Sequence, residues 1–287
     1  MTGNRLEKNR KLVECALLIA IATVLSLFSI FALPYGGSVT LASMLPLVLI
    51  AYRSGILWGL ASGLVYGIIQ QLLGLKNLSY FTTWQSIVAI ILLDYLIAFA
   101  VLGLGGIFRN RLKKQSMALA VGSAFVCLLR YLCHVVSGAT VWAGLSIPTQ
   151  AALAYSFVYN ATYMIPETIV LVLVAYYLGS VFDFEKEIPS RVVRDQKNTG
   201  GDLMALIAGF IGLGALIFDV ANIFGHMQDS ESGEFNISLL FAKPFVKSFW
   251  LQVTVVTVVA LAIVCVLIIL RKKTTAQNAD EAGSQNA

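Results

Sequence analysis

Four ionisable side chains stand out within apolar stretches of this sequence: Asp94, Arg130, His134 and Glu167. Such residues are costly to place in lipid, so each is by default a candidate for a functional site. A lone carboxylate in this setting would attract a cationic ligand, and Asp94 is the candidate for that role. Two structural alternatives remain open: Asp94 could form an ion pair with Arg130, or Glu167 could be that arginine's partner or a packing feature.

One helix face carries a histidine and a tryptophan. His134, Gly138 and Trp142 are spaced four residues apart, and at about 100° per residue they lie within an 80° arc of a helix. The glycine between the two rings leaves a flat slot in which a planar ligand can stack. The alternative is that Trp142 anchors the outer end of the helix and His134 makes a structural hydrogen bond.

A second polar face follows along the chain. Tyr155, Tyr159 and Tyr163 repeat every four residues, and Asn160 lies beside them with donors and an acceptor that suit the edge of a heteroaromatic base. An aromatic belt at the membrane surface is the alternative for the tyrosines. Together with Asp94 and His134, these side chains predict an outward-opening pocket for a small, flat molecule that is cationic or forms hydrogen bonds.

Composition decides what kind of protein must position these side chains. The chain has 287 residues, of which 58% are hydrophobic and 12% charged, with a mean hydropathy of +0.82. Soluble domains carry about 25% charged residues, so an ordinary soluble enzyme is excluded. The net charge of +5 does not indicate nucleic-acid binding, because the basic residues form short clusters between apolar runs. The predicted fold class is an all-α polytopic membrane protein.

Eight apolar stretches are candidate membrane spans, each judged against the roughly 20 residues that a span needs. The second is short and contains Pro46, which predicts a broken or tilted helix. With the N-terminus inside, sixteen lysines and arginines fall in cytoplasmic segments and three in outer ones, so both termini are predicted to be cytoplasmic. The candidate spans are residues 12–32, 39–52, 56–73, 80–108, 117–142, 151–181, 203–224 and 249–270.

The pattern of spans and polar segments predicts the domain organisation. Residues 1–183 form a six-span membrane domain, 184–201 a charged cytoplasmic linker, 202–273 a two-span extension with an outer loop, and 274–287 a disordered tail. The chain contains no phosphate-binding glycine-rich loop and no metalloprotease or serine-hydrolase motif. We therefore predict no enzyme, no cofactor and no metal. The four cysteines lie in apolar segments without a C-x-x-C pair, which is typical of inert buried thiols.

Residues 10–183 resemble the thiamine-specific substrate-binding subunits (S components) of energy-coupling factor transporters. The resemblance rests on an ordered set of segments: ECALLIAIA, LPYGGSVTLASMLPLVLIAYRSG, SGLVYGII, LLDYLIAFAVLGLGGIFRNR, RYLCHVVSGATVW and ALAYSFVYN. It implies a six-helix bundle with an outward-facing thiamine pocket. It also implies three partner chains, a transmembrane coupling subunit and two cytoplasmic ATPases, which would supply the energy that this chain lacks a motif to provide. The last two spans lie outside the resemblance.

The resemblance also implies roles for particular residues. Asp94 and His134 would lie near the thiazolium ring and Trp142 would stack on a ring. The aminopyrimidine would be oriented by Tyr155 and Asn160. The first outer loop would act as a lid, and a small-residue face on the first span would dock on the coupling subunit, although packing within the chain is the alternative for that face. The full set of implied site residues is Asp94, Tyr95, His134, Gly138, Trp142, Tyr155, Asn160 and Tyr66 for thiamine, Tyr35, Gly36, Gly37 and Ser38 for the lid, and Ala16 and Ala20 for the coupling subunit.

Two other functions remain open from the sequence. A solitary carrier could couple thiamine or a related pyrimidine or thiazole compound to protons relayed by Asp94, Arg130 and Glu167. A membrane scaffold without a substrate could use the same residues to join its helices. Dependence of uptake on ATPases or on a proton gradient distinguishes the first two functions, and thermal shifts with vitamins test the third.

Overall fold

The chain folds into long helices joined by short connections, the architecture of an all-α polytopic membrane protein. We describe it from a computed structural model that covers residues 2–33, 36–145, 147, 149–150, 152–192, 199–227 and 246–284. Within these residues six helices are long and apolar enough to cross a membrane, and one further apolar helix is shorter. The helices are α1 (Thr2–Ser26), α2 (Leu45–Ser54), α3 (Ile56–Leu73), α4 (Trp84–Phe108), α5 (Gln115–Thr140), α6 (Ala152–Val181), α7 (Thr199–Met227) and α8 (Val246–Ser284).

A β-hairpin replaces the C-terminal end of the first predicted span. Strand β1 (Ser29–Ala32) pairs antiparallel with β2 (Ser38–Thr40), so the prediction of a span through residue 32 is wrong at that end. The start of the second predicted span is wrong as well, because residues 39 and 40 belong to β2. Helix α2 begins only at Leu45 and has Pro46 in its first turn. Backbone N–H groups in the first turn make no intrahelical hydrogen bond, so the missing N–H of proline costs nothing there.

Helices α3 and α4 approach each other through a row of glycines. Gly59, Gly63 and Gly67 are spaced four residues apart on α3 and face the backbone of α4. A Cβ atom added at Gly63 would lie 2.4 Å from the carbonyl oxygen of Phe99. Small residues at this spacing allow two helices to touch along their backbones in lipid. The glycine row therefore fixes the position of α4.

Helix α4 is irregular where it carries the intramembrane carboxylate. Its first turns, from Trp84 to Ile90, are α-helical and are followed by a π-helical turn over Ile91–Ile97 that contains Asp94. The last part, Val101–Phe108, is a 3-10 helix. A π-helical turn widens the helix locally and is frequent at functional sites.

The segment after α6 packs on the first unit instead of forming a free linker. The short strands β3 (Phe182–Asp183) and β4 (Ser190–Arg191) flank it. Arg53 pairs with Glu14 of α1 and donates to the carbonyl oxygens of Phe184, Lys186 and Glu187. The first compact unit accordingly runs from Met1 to Ser190, seven residues beyond the predicted boundary at residue 183. Part of the predicted linker, residues 193–198, lies outside the described residues.

The second unit, Arg191–Ala287, contains α7 and α8. Phe249 and Val253 of α8 form its small buried cluster, with Ile223 of α7 packed against them. The hydroxyl of Thr257 donates to Asp219 Oδ2 at 2.5 Å, which joins the two helices within the apolar region. Helix α8 continues to Ser284, so residues 274–284 of the predicted disordered tail are helical. This stretch contains three alanines, one glutamine and one glutamate, which are good helix formers.

Candidate functional site

Asp94 lies at the centre of a hydrogen-bonded cluster between α4 and α5. Its Oδ1 is 2.9 Å from Nδ1 of His134. Its Oδ2 accepts from the Ser137 hydroxyl at 2.8 Å and from the indole Nε1 of Trp142 at 2.9 Å. The Asp94 and His134 side chains are only 13% and 11% exposed. Three donors therefore hold one shielded carboxylate, and they fix its orientation.

The contact with Asp94 also orients the histidine. Because a carboxylate only accepts, Nδ1 of His134 is the donor in this pair, and the neutral ring then presents Nε2 as an acceptor. Nε2 is buried and has no hydrogen-bond partner within the described residues. A buried nitrogen without a partner is costly. A ligand donor at Nε2 would therefore gain a hydrogen bond.

Hydrogen bonds also fix the side chain of Asn160 on α6, which lines the same cavity as Asp94. Its Nδ2 donates to the carbonyl oxygens of Ser156 and His134 at 2.9 and 3.2 Å, and its Oδ1 accepts from the Tyr163 hydroxyl at 2.6 Å. These bonds connect α6 to α5. A carbonyl oxygen has two lone pairs, so Oδ1 retains capacity for one further donor.

These groups line a cavity of about 160 Å³. Its wall combines one acidic group, one basic group, a histidine and several aromatic rings, so it is suited to a flat polar molecule. Within the described part of the chain, no cluster of three or more His, Cys, Asp or Glu side chains is placed to hold a metal ion. The predicted site residues on this wall are Gly36, Gly37, Ser38, Asp94, Tyr95, His134, Gly138, Trp142 and Asn160.

Comparison with known proteins identifies the family. The family model described as "Thiamine transporter protein (Thia_YuaJ)" matches residues 12–183. The chain belongs to this thiamine transporter family. The match covers more than half of the chain and ends at the last residue of the predicted six-span domain. It confirms the resemblance that the sequence segments indicated.

Two named relatives agree with the family match. The chain is 35% identical over 175 residues to the thiamine transporter ThiT of Bacillus subtilis (strain 168), a match that covers 57% of this chain and 87% of that protein. A solved structure of ThiT from Listeria monocytogenes has a TM-score of 0.50 at 24% identity, covering 60% of this chain and 94% of that one. At that identity, the structural match supports the shared fold. This member of the thiamine transporter family thus carries the family fold in its first two-thirds.

Two predicted site residues do not line the cavity. Tyr66 is 1% exposed, and its ring packs edge-to-face on Phe99 with centroids 4.9 Å apart. Tyr155 packs against the hydrophobic cluster that contains Trp142 and Phe81. Both tyrosines therefore support the wall from behind. The predicted lid residue Tyr35 lies outside the described residues.

The expected partners of Arg130 are not the observed ones. No ion pair joins Arg130 to Asp94 or to Glu167 among the residues that the structure describes. The guanidinium instead lies 4.5 Å from the centre of the Phe99 ring, and Nη1 is 3.0 Å from the Met44 sulfur. A cation over an aromatic face is stabilised without a carboxylate. Asp94 instead bonds His134 and Ser137 on the same helix α5, and Trp142 just after it.

Sequence reasoning missed several residues of the cavity. Asn77, in a short 3-10 helix after α3, donates to the Tyr95 hydroxyl at 3.0 Å and so fixes that ring. Nothing in the sequence singles out Ser137, and only the position of α4 shows its bond to Asp94. The sequence groups Tyr159 and Tyr163 with Tyr155 on one face and singles out Arg130 as an intramembrane cation, but it assigns none of Tyr159, Tyr163 and Arg130 to the ligand. The further lining residues are Gln70, Asn77, Phe99, Arg130, Ile147, Tyr159 and Tyr163.

Gly37 is expected to tolerate no side chain. Its φ is +90°, and an added Cβ would lie 2.8 Å from the Tyr163 ring at the cavity wall. We expect Gly37→Ala to weaken ligand binding at least tenfold, because the loop must move away from the ring (about 1–2 kcal/mol for the left-handed backbone and more for the contact). Isothermal titration calorimetry measures the change.

Gly55→Ala is the matched control for this prediction. Gly55 has φ +96° but nothing within 4 Å of an added Cβ. It isolates the backbone strain at a site away from the cavity, so it should lower the melting temperature and leave affinity unchanged. Equal affinities for the two variants would show that the Gly37 loop does not depend on the Tyr163 contact.

Proposed function

We propose that this chain binds thiamine in the cavity between α3, α4, α5 and α6 and mediates its uptake across the cell membrane. The observation that carries the proposal is the Asp94 cluster, a buried carboxylate flanked by the Trp142 and His134 rings. Thiamine joins a permanently cationic thiazolium to an aminopyrimidine. The carboxylate balances the ring charge, and the aromatic walls suit both flat rings.

We assign roles to the cavity residues on this basis. Asp94 and His134 face the thiazolium and Trp142 stacks on one ring. Asn160 orients the aminopyrimidine through the remaining lone pair of Oδ1. The role first expected for Tyr155 passes to Tyr159, which belongs to the same face of α6 and lines the cavity.

Tryptophan fluorescence tests the binding step. Thiamine added to the purified protein should quench the emission of Trp142, because a bound ring would stack on the indole at the cavity wall. Trp142→Phe should abolish most of the quench and lower the affinity measured by calorimetry. Trp84→Phe is the matched control, since Trp84 is 70% exposed on the outside of α4. A quench that persists in Trp142→Phe would place thiamine elsewhere.

We further propose that the chain works as an S component whose energy comes from a coupling subunit and two ATPases. Residues 1–287 contain no phosphate-binding loop. Ala16 and Ala20 lie on an exposed face of α1, where small residues allow close approach of another helix. The charge distribution supports cytoplasmic termini, and these place the start of α1 on the ATPase side.

Uptake measurements separate this proposal from the solitary proton-coupled carrier. Thiamine accumulation in cells should require the co-expressed coupling subunit and ATPases. Accumulation should continue in the presence of an uncoupler as long as the ATP concentration is maintained. Among the described residues, Asp94, Arg130 and Glu167 bind different partners and form no continuous relay. Uptake by the chain alone that collapses with an uncoupler would favour the carrier.

A further inference from the structure

One face of α6 holds the β1–β2 hairpin at three points, each one helical turn from the next. The Tyr159 hydroxyl donates to the carbonyl oxygen of Gly36 at 3.0 Å. The Tyr163 ring lies directly against the Gly37 backbone. Glu167 accepts from the Thr40 backbone N–H at 2.5 Å and from its hydroxyl at 2.7 Å. We call Tyr159, Tyr163 and Glu167 the anchoring face of α6.

The three contacts differ in kind along this face. Tyr159 is partly exposed and donates to a backbone carbonyl oxygen of the hairpin. Glu167 is only 2% exposed, and both its carboxyl oxygens are bonded to Thr40. A buried polar group that loses its hydrogen-bond partners is costly. The contact between Glu167 and Thr40 is therefore costly to break.

Glu167 also differs from the two tyrosines in its position. Tyr159 and Tyr163 line the cavity, whereas Glu167 does not. Its partner Thr40 ends β2, and the Thr40 hydroxyl is 2.7 Å from the hydroxyl of Ser43, just before α2. Fixing Thr40 thus fixes one end of β2. The residues that lead into the other end of β2, Gly36 to Ser38, form part of the cavity wall.

We propose that Glu167 is a positioning residue for ligand binding: it anchors Thr40 and thereby holds Gly36–Ser38 against the cavity. A carboxylate suits this role because it accepts from a backbone N–H and a hydroxyl at once, which an apolar side chain cannot do. Without the anchor, the segment would lose both hydrogen bonds that Thr40 donates to Glu167. The identity of the ligand, though not the anchoring itself, rests on the proposed function.

Amide hydrogen exchange of the ligand-free protein tests the anchor directly. In Glu167→Leu, exchange of the Thr40 amide and of residues 36–39 should be at least tenfold faster than in the unaltered chain. Glu167→Gln, which keeps an acceptor oxygen, should lie in between. The matched control is Thr168→Val, the next residue on α6, whose hydroxyl bonds its own helix at the Met164 carbonyl oxygen. Unchanged exchange at Thr40 in Glu167→Leu would overturn the proposal.

Ligand kinetics then test whether the anchor positions the wall. Stopped-flow fluorescence with thiamine should show dissociation about tenfold faster in Glu167→Leu, with little change in Thr168→Val. In the Thr40→Val background, which lacks the hydroxyl, the effect of Glu167→Leu should be smaller, because the two residues act through one contact. Fully additive effects would refute that coupling.

The exchange measurement uses no thiamine, so it remains readable if the proposed function fails. Should thiamine not bind, fast exchange in Glu167→Leu would still establish the anchor. Should thiamine bind and the exchange stay unchanged, the anchor alone would be refuted.

Discussion

Replacing Asp94 with alanine is expected to weaken thiamine binding about a hundredfold or more. The change removes the acceptor of three donors at once, from Ser137, His134 and Trp142. Each buried donor left without a partner costs about 1–3 kcal/mol of stability, so the cavity wall that these donors fix would rearrange. The carboxylate charge that we propose to lie opposite the thiazolium is lost as well. Calorimetry on the purified protein measures the loss, since about 1.4 kcal/mol corresponds to a factor of ten.

Asp94→Asn separates charge from hydrogen bonding. Asparagine keeps one acceptor oxygen but turns a donor toward either His134 or Trp142, so we expect a smaller loss, equivalent to about 1–3 kcal/mol. Asp183→Asn is the control, because that carboxylate lies in β3, outside the cavity. Wild-type affinity in Asp94→Asn would show that the carboxylate charge does not contribute to binding. Wild-type affinity in Asp94→Ala would show that Asp94 is not part of the binding site.

The second large effect is expected at the α3–α4 contact. In Gly63→Ala, the new Cβ would lie 2.4 Å from the Phe99 carbonyl oxygen and 2.9 Å from the Cα of Ala100. These are backbone atoms, so no side-chain rotation relieves the clash and α4 must shift. Overpacking of this kind costs about 1–3 kcal/mol or more. Because α4 carries Asp94, we expect a lower melting temperature in detergent together with weaker thiamine binding.

Gly214→Ala provides the control for this prediction. Gly214 also lies within a helix, but an added Cβ there meets nothing within 4 Å. Alanine has a higher helix propensity than glycine by about 0.8–1 kcal/mol, so this variant should melt at the same or a higher temperature. If Gly63→Ala behaved like Gly214→Ala, the two backbones would not be in contact, and the glycine row would not determine where Asp94 lies.

Periodicity within single helices could be read from the sequence. The four-residue spacing of His134, Gly138 and Trp142 placed them on one face of α5, and all three line the cavity. The same argument grouped the three tyrosines of α6 on one face, and the family resemblance chose Tyr155 among them, whereas the cavity is lined by Tyr159 and Tyr163. Spacing determines which residues share a face, but two neighbouring helices decide how far along that face the cavity extends.

Local backbone geometry was harder to predict. Hydropathy extended the first span through residues that form β1, because a hairpin of apolar residues has the same composition as the end of a span. The π-helical turn at Asp94 also has no signature in the local sequence. Arg130, His134 and Ser137 all lie on α5, so the sequence left open which of them the Asp94 carboxylate would meet.

The sequence by itself determined that this chain is a basic, polytopic helical membrane protein with a few costly polar groups in its apolar segments, and its ordered segments indicated the thiamine transporter family. Only the tertiary structure decided how those groups pair. Asp94 and His134 are 40 residues apart along the chain, and Thr40 and Glu167 are 127 apart. The reason is physical: a helical repeat fixes directions around one axis, whereas a hydrogen bond between helices requires the position of both axes to within a few tenths of an ångström. Backbone contacts such as those of the α3 glycines set these positions.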